Sequence, residues 1–289
     1  MKQFKVVISI FALFVLYSCA TTEKEISPVV EENVKNESKM VEVQTEETFY
    51  YVTKEETFYG DGQIDTITTY IYDENYMLKN RVQINEQEEV LESTVNTIKD
   101  SKIVRSDNYG FGNTLNSYTT YEYDSNGNVI TETLYDDEDV VQSINVYEYN
   151  NGILSNWITK GPNGGNLAIT SYEYKNDLNS KILIKDAGSV VDGIIEKNYV
   201  DGIISEEKVL DSKGKIESSI QYLYKDELLV EKVYFDSKGK KTRSESYEYN
   251  EGYPVPGKIN LLYKSGALES YTVYEYESNT VITKMMVEE

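Results

Sequence analysis

The chain has 289 residues, a formal net charge of −22, 27 tyrosines, one tryptophan, one cysteine and no histidine. So acidic a balance excludes the basic surface that nucleic acid requires and disfavours contact with anionic headgroups. The missing histidine removes the commonest general base, the usual hydrolase triads and His-based metal sites. One cysteine permits neither an intrachain disulfide nor a thiolate metal cluster.

The first element is an export signal, residues 1–18. Lys2 and Lys5 precede an apolar run from Val6 to Leu16 that is too short to span a bilayer as a helix. The run ends at Leu16-Tyr17-Ser18-Cys19. This resembles the lipobox of bacterial lipoproteins: an aliphatic residue at −3, a small one at −1, then cysteine. Tyr17 at −2 departs from the commonest form. The resemblance implies cleavage before Cys19, lipidation of its thiol and acylation of the new amino terminus. Ala20 follows where an aspartate would signal inner-membrane retention. By similarity to lipoprotein sorting, that points to an outer membrane lipoprotein, either surface-exposed or facing the periplasm.

Residues 19–47 follow as a lipidated cysteine and an acidic tether. From Ala20 to Glu47 there is no glycine, no aromatic residue and no stable period. Such a segment buries too little apolar surface to order itself.

Residues 48–289 are organised by a tyrosine doublet that returns about every 25 residues. It reads Tyr121-Glu122-Tyr123, Tyr147-Glu148-Tyr149, Tyr172-Glu173-Tyr174, Tyr222-Leu223-Tyr224, Tyr247-Glu248-Tyr249 and Tyr274-Glu275-Tyr276. Tyr70-Ile71-Tyr72, a degraded Asn96-Thr97-Ile98 and the half-kept Lys197-Asn198-Tyr199 hold the register. Tyr-x-Tyr puts both rings on one face of a strand. Turn-formers such as Asn151-Gly152 and Asp201-Gly202 follow, and these are strong hairpin signals. A second turn comes about half a period later, as in Asp211-Ser212-Lys213-Gly214 and Asp236-Ser237-Lys238-Gly239. Each repeat is thus two strands and two turns, for roughly 19 strands and no helix. The expected fold is all-β: an elongated, twisted antiparallel β-meander. Glu206-Glu207-Lys208 places charge on both faces of one strand, which argues against a closed sandwich and for a long curved sheet with both faces partly wet.

The doublet, the following acid or amide, the glycine and the aliphatic restart resemble the YD repeats of RHS-type shell proteins. Tyr121-Glu122-Tyr123-Asp124-Ser125-Asn126-Gly127 is the nearest copy. That resemblance implies strands of a spiralling antiparallel sheet. The departures at Asn150, Lys175, Lys225, Asn250 and Glu277, and the short chain, argue against a toxin-enclosing chamber. Tyr263-Lys264-Ser265-Gly266-Ala267-Leu268 is similar to a MORN repeat, also a hairpin. None of these resemblances identifies a ligand.

Three candidate sites emerge. The first is the aromatic set Tyr121, Tyr123, Tyr147, Tyr149, Tyr172, Tyr174, Tyr222, Tyr224, Tyr247, Tyr249 and Trp157, which offers rings for stacking on sugars or anchoring a protein partner. The alternative is that the rings supply the sheet's core, with Glu122, Glu148, Glu173, Glu248 and Glu275 facing water. The second is the oxygen-rich turns Asp124–Asn128 and Asp136–Asp139, weighed as calcium loops and as plain hairpin turns. The third is any pair of facing carboxylates near the irregular loops 161–165 and 252–257, the minimum for a glycosidase. No cofactor, metal or catalytic residue is assigned. The expectation is a non-catalytic envelope lipoprotein, a binding or structural module of adhesin or scaffold type. A periplasmic envelope-maintenance lipoprotein is the alternative; a MORN-like immunity protein and an enzyme rank below it.

Overall fold

The computed structural model describes residues 40–288. The expected signal peptide, Cys19 and residues 20–39 of the expected tether lie outside the described residues. The strands are β1 (Met40–Tyr59), β2 (Ile64–Tyr72), β3 (Leu78–Ile84), β4 (Val90–Lys99), β5 (Lys102–Gly110), β6 (Thr114–Tyr123), β7 (Val129–Asp136), β8 (Val141–Asn150), β9 (Ile153–Lys160), β10 (Asn166–Lys175), β11 (Leu178–Asp186), β12 (Val191–Val200), β13 (Ile203–Asp211), β14 (Ile216–Lys225), β15 (Leu228–Asp236), β16 (Lys241–Tyr249), β17 (Pro256–Tyr263) and β18 (Leu268–Glu288). One 3₁₀ turn, Phe111–Asn113, joins β5 to β6. β1 begins at Met40, so residues 40–47, expected as tether, are strand.

Two units are distinguished. The body is Tyr51–Tyr276; the other unit contains residues 40–50 and 277–288 of the described chain. In that smaller unit β1 and β18 meet through threonines: the Thr48 and Thr280 hydroxyls are 2.9 Å apart, and Thr45 donates to the Thr283 carbonyl.

In the body every strand pairs antiparallel with the next, as the meander requires. The sheet does not lie open. β1 pairs with β18, closing 18 strands into a barrel. Along this seam Thr53 donates to the Glu275 carbonyl, the Thr57 and Thr272 hydroxyls lie 3.1 Å apart, and Phe58 stacks on Tyr271 at 4.7 Å.

The cause of closure is a repeated β-bulge. Each hairpin slips by one residue near the start of its later strand: Ile130 is the extra residue in β7, Ser155 in β9, Asp192 in β12 and Glu269 in β18. A bulge bends its strand and increases the right-handed twist. Placed after every turn, at both rims, it coils the sheet until the first and last strands meet.

The two rims use different turns. Five even strands, β4, β8, β10, β12 and β14, lead into two-residue turns with both central residues at positive φ, for example Asn151 (51°) with Gly152 (78°) and Asp201 (50°) with Gly202 (82°), whereas β2, β6 and β16 lead into longer loops. That is the type I′ geometry whose twist suits a hairpin. The same turn recurs without glycine at Asp100-Ser101, Asn176-Asp177 and Asp226-Glu227. Odd strands other than β5 lead into loops closed by paired backbone bonds, as between Asp236 and Lys240, where the Asp236 carboxylate also accepts from the N–H groups of Lys238 and Lys240; the loops after β2 and β6 are closed in the same way.

Closure resolves the two-faced charge pattern. Glu207 turns inward and lies 3.9 Å from Lys197, while Glu206 and Lys208 turn outward and pair at 2.8 Å. Among the described residues, elements touch mainly their sheet neighbours, and no second layer packs on the inner face. A barrel of this strand number is in the size class that holds a water-filled interior.

Candidate functional site

The doublets fall at the C-terminal ends of the even strands, except in the longer β18, where Tyr274 and Tyr276 lie mid-strand. Their rings point to the inner face; Glu122, Glu148, Glu173, Glu248 and Glu275 between them are exposed outside. Tyr121, Tyr123, Tyr147, Tyr149, Tyr172, Tyr222, Tyr224, Tyr247 and Tyr249 are half-buried on this wall, and Tyr174 is more open at 38 %. Trp157 joins them across the β8–β9 pair, stacked on Tyr147 with centroids 6.2 Å apart. Its indole N–H is buried without a hydrogen-bond partner.

The second tyrosine of the doublet has a defined structural task. Its hydroxyl donates to the backbone carbonyl 20 residues earlier: Tyr72 to Val52, Tyr123 to Ile103, Tyr149 to Val129, Tyr199 to Asn179, Tyr249 to Leu229 and Tyr276 to Pro256, at 2.6–2.9 Å. Each acceptor lies two residues before its strand's first ladder pair with the tyrosine's strand; Leu229, for instance, precedes the pair Glu231↔Ser246. The carbonyl thus emerges from a turn beyond the reach of backbone partners, and the phenol satisfies it. In the degraded copy Ile98 has no hydroxyl. There the Asn96 amide donates to the Leu78 carbonyl, which sits at the equivalent position, at 2.9 Å.

The first tyrosine of the doublet works with charge. Tyr147 donates to the Glu132 carboxylate at 2.8 Å. Tyr247 and Tyr234 both donate to Glu245 at 2.6 Å, and Lys232 lies 3.8 Å from the same carboxylate and over the rings of Tyr222 and Tyr247. Burial, reinforced by Glu132, holds the Tyr147 phenol far above its ordinary range; burial and Glu245 do the same to Tyr247. Tyr70 is pushed up to about 12, first by burial and then by Glu55. Burial also raises the Glu55 carboxyl, although Tyr70 and Arg81 oppose the shift. The wall therefore combines aromatic rings, aliphatic side chains such as Ile182, Ile195 and Ile259, and ion pairs of both signs.

The remaining candidates separate in space. The Asp124 carboxylate accepts from the backbone N–H groups of Asn126 and Asn128 and from the Asn128 side chain, which lowers its pKa. Asp136 accepts similarly from Glu138 and Val140. These carboxylates are spent on shaping turns. The loop 161–165 is a tight turn on the rim of odd-strand loops. The 252–257 loop lies on the opposite rim, where Tyr253 and Val255 line a groove of about 380 Å³ with Asn250, Tyr274, Glu275 and Tyr276. The two irregular loops therefore share no site.

The outer face carries mid-strand charge, including Arg105 with Asp107 at 2.6 Å and Lys54 with Glu56 at 2.9 Å. A lipid-facing wall would place such groups in hydrocarbon at about 2–4 kcal/mol for each midplane Arg or Lys. This face is built for water.

No family model and no curated protein matches the chain. Among solved structures it is similar to TcdB2-TccC3-TEV at 15% identity and a TM-score of 0.36, over 73% of this chain but only 14% of that one. It is also similar to a porin-like protein from Bacteroides uniformis ATCC 8492 at 12% identity and a TM-score of 0.38, over 82% of this chain and 98% of that one. A porin-like protein from Bacteroides vulgatus ATCC 8482 matches at 12% identity and a TM-score of 0.31, with 78% and 98% covered. At these scores the likeness extends no further than antiparallel β-strands in a repeating sheet.

Proposed function

We propose that the protein is a non-catalytic lipoprotein of the bacterial envelope, held to the membrane through Cys19, whose barrel is a binding module with the tyrosine wall as its contact surface. The observation that carries this reading is the composition of the inner face. Half-buried rings stand beside fixed donors and acceptors, and inward charges of opposite sign compensate one another, as Lys197 does Glu207 and Lys232 does Glu245. Rings with hydrogen-bonding neighbours suit the faces and hydroxyls of a neutral glycan. The structural use of the second tyrosines leaves the first tyrosines and Trp157 as the binding candidates. The water-suited outer wall supports a lipid anchor over a membrane-spanning barrel.

The protein carries its own probe, because Trp157 is its sole tryptophan. Soluble peptidoglycan fragments and outer-membrane oligosaccharides, titrated to millimolar concentration, are expected to shift its fluorescence; Tyr147→Ala is expected to weaken the response. A flat signal across both sets, with no binding heat by calorimetry, would remove the glycan reading; binding unaltered in Tyr147→Ala would remove the tyrosine wall as its site. Membrane association is expected to be lost in Cys19→Ala, and retention in that variant would remove the anchor. Protease shaving of intact cells then separates a surface module from the second reading, a periplasmic maintenance protein.

A further inference from the structure

The rim formed by the odd-strand loops has an unusual charge layout. In order around the barrel it carries the loops 59–63, 85–89, 110–113, 136–140, 161–165, 186–190, 211–215, 236–240 and 263–267. The early loops are acidic: Glu86, Glu88 and Glu89 in one, and Asp136, Asp137, Glu138 and Asp139 in another. The last three are basic at their tips, with Lys213 and Lys215, Lys238 and Lys240, and Lys264. Between and among them stand large apolar side chains that are more than half exposed. Phe111 is 69 % exposed, Val190 63 %, Leu167 58 % and Val140 52 %. Exposed apolar side chains also stand on the other rim, Val200 at 62 % and Tyr253 at 49 % among them, so the charge layout is what sets this rim apart.

We propose that this rim is a self-docking surface, and that two copies of the chain meet rim to rim about a two-fold axis. The cyclic order of the loops makes the case. A two-fold axis through the 59–63 loop reverses the order around the rim. It sets 85–89 against 263–267, 136–140 against 211–215, and 110–113 against 236–240. The acidic loops then face lysines, Glu86 and Glu88 opposite Lys264, and Asp137 and Glu138 opposite Lys213 and Lys215. Phe111 faces the stems of Lys238 and Lys240. The remaining pair, 161–165 against 186–190, brings Leu167 to Val190. A closed two-fold contact requires a surface complementary to itself, and this rim is so under one choice of axis. Net charge favours no contact between copies, since each carries −22. Association therefore rests on local complementarity and is expected to weaken as salt rises.

The test is a charge exchange on the full chain in mild detergent, read by sedimentation velocity. Wild type is expected to dimerise at low salt. Asp137→Lys with Glu138→Lys, and separately Lys213→Glu with Lys215→Glu, are each expected to weaken the dimer by about 100-fold, because like charges then face each other. Mixing the two variants is expected to restore a dimer, since both contacts become attractive again. All four positions are exposed, and circular dichroism checks that each variant keeps its strand signal. A wild-type monomer at low salt would overturn the proposal. So would variants that dimerise unchanged, or folded variants whose mixture stays monomeric.

Discussion

Consider Tyr249→Phe. The change removes one oxygen and leaves the ring, so packing on the inner wall is preserved. What is lost is the 2.8 Å bond to the Leu229 carbonyl. That carbonyl lies two residues before the first β15–β16 ladder pair, so no backbone donor replaces the phenol. A net loss of about 0.5–1.5 kcal/mol is expected, since a carbonyl with one unmet lone pair costs less than an orphaned N–H. The equivalent bonds of Tyr72, Tyr123, Tyr149, Tyr199 and Tyr276 stand on separate strands with no shared partner. Near-additivity then gives about 3–9 kcal/mol for the sixfold Phe variant, comparable with the whole stability of a typical domain. Guanidinium unfolding followed by Trp157 fluorescence measures this as a falling midpoint at unchanged slope. Tyr263→Phe, at an exposed position on the other rim, is the control and is expected to stay within about 0.5 kcal/mol of wild type. A sixfold variant as stable as that control would refute the view that these hydroxyls hold the barrel.

Two further outcomes follow from the charged half of the wall. Glu245→Leu strands the hydroxyls of Tyr234 and Tyr247 and is expected to cost about 3 kcal/mol, whereas Glu245→Gln, which keeps an acceptor for them, is expected to cost less; equal midpoints for the two variants would speak against the network. In alkali, the raised phenols Tyr70, Tyr121, Tyr147, Tyr234, Tyr247, Tyr274 and Tyr276 favour the protonated form in the fold. Their stabilisation is therefore complete below the unfolded value near 10 and disappears as pH rises through the folded values, about 12 for Tyr70. Ultraviolet titration of native protein is expected to show a late tyrosinate phase that coincides with unfolding; full titration near pH 10 with the fold intact would contradict it.

The hairpins were legible in the sequence because Tyr-x-Tyr, Asn-Gly and Asp-x-x-Gly each impose local geometry. So was the division into an inner tyrosine face and an outer glutamate face, since alternation alone sets it. Closure was not legible. The extra residues that bend the strands include Asp65, Leu91, Asn116, Ile130, Gln142, Ser155, Val230 and Gly257, which share no chemistry. Their positions are fixed by turn length and register. Turns at Asn176-Asp177 and Asp226-Glu227 also escape a search for glycine, although Asn and Asp enter the left-handed region more readily than most residues. The distinction between the two tyrosines of a doublet needs three dimensions, because only register brings the second hydroxyl to a carbonyl 20 residues back. The constant offset was present in the period, but nothing in one copy marks its partner.

The seam between β1 and β18 bears on how the protein is made. Hairpins can zip as soon as two neighbouring strands have been synthesised, but Thr57 and Thr272 are 215 positions apart. Until the last strand arrives, the growing sheet carries two bare edges that offer their backbone to any passing strand. Joining them is a late, non-local step, and such steps set the pace of folding in β proteins. A chain truncated before β18 would keep nearly every local interaction and still be left with permanent edges, and so would be prone to pair with its own kind.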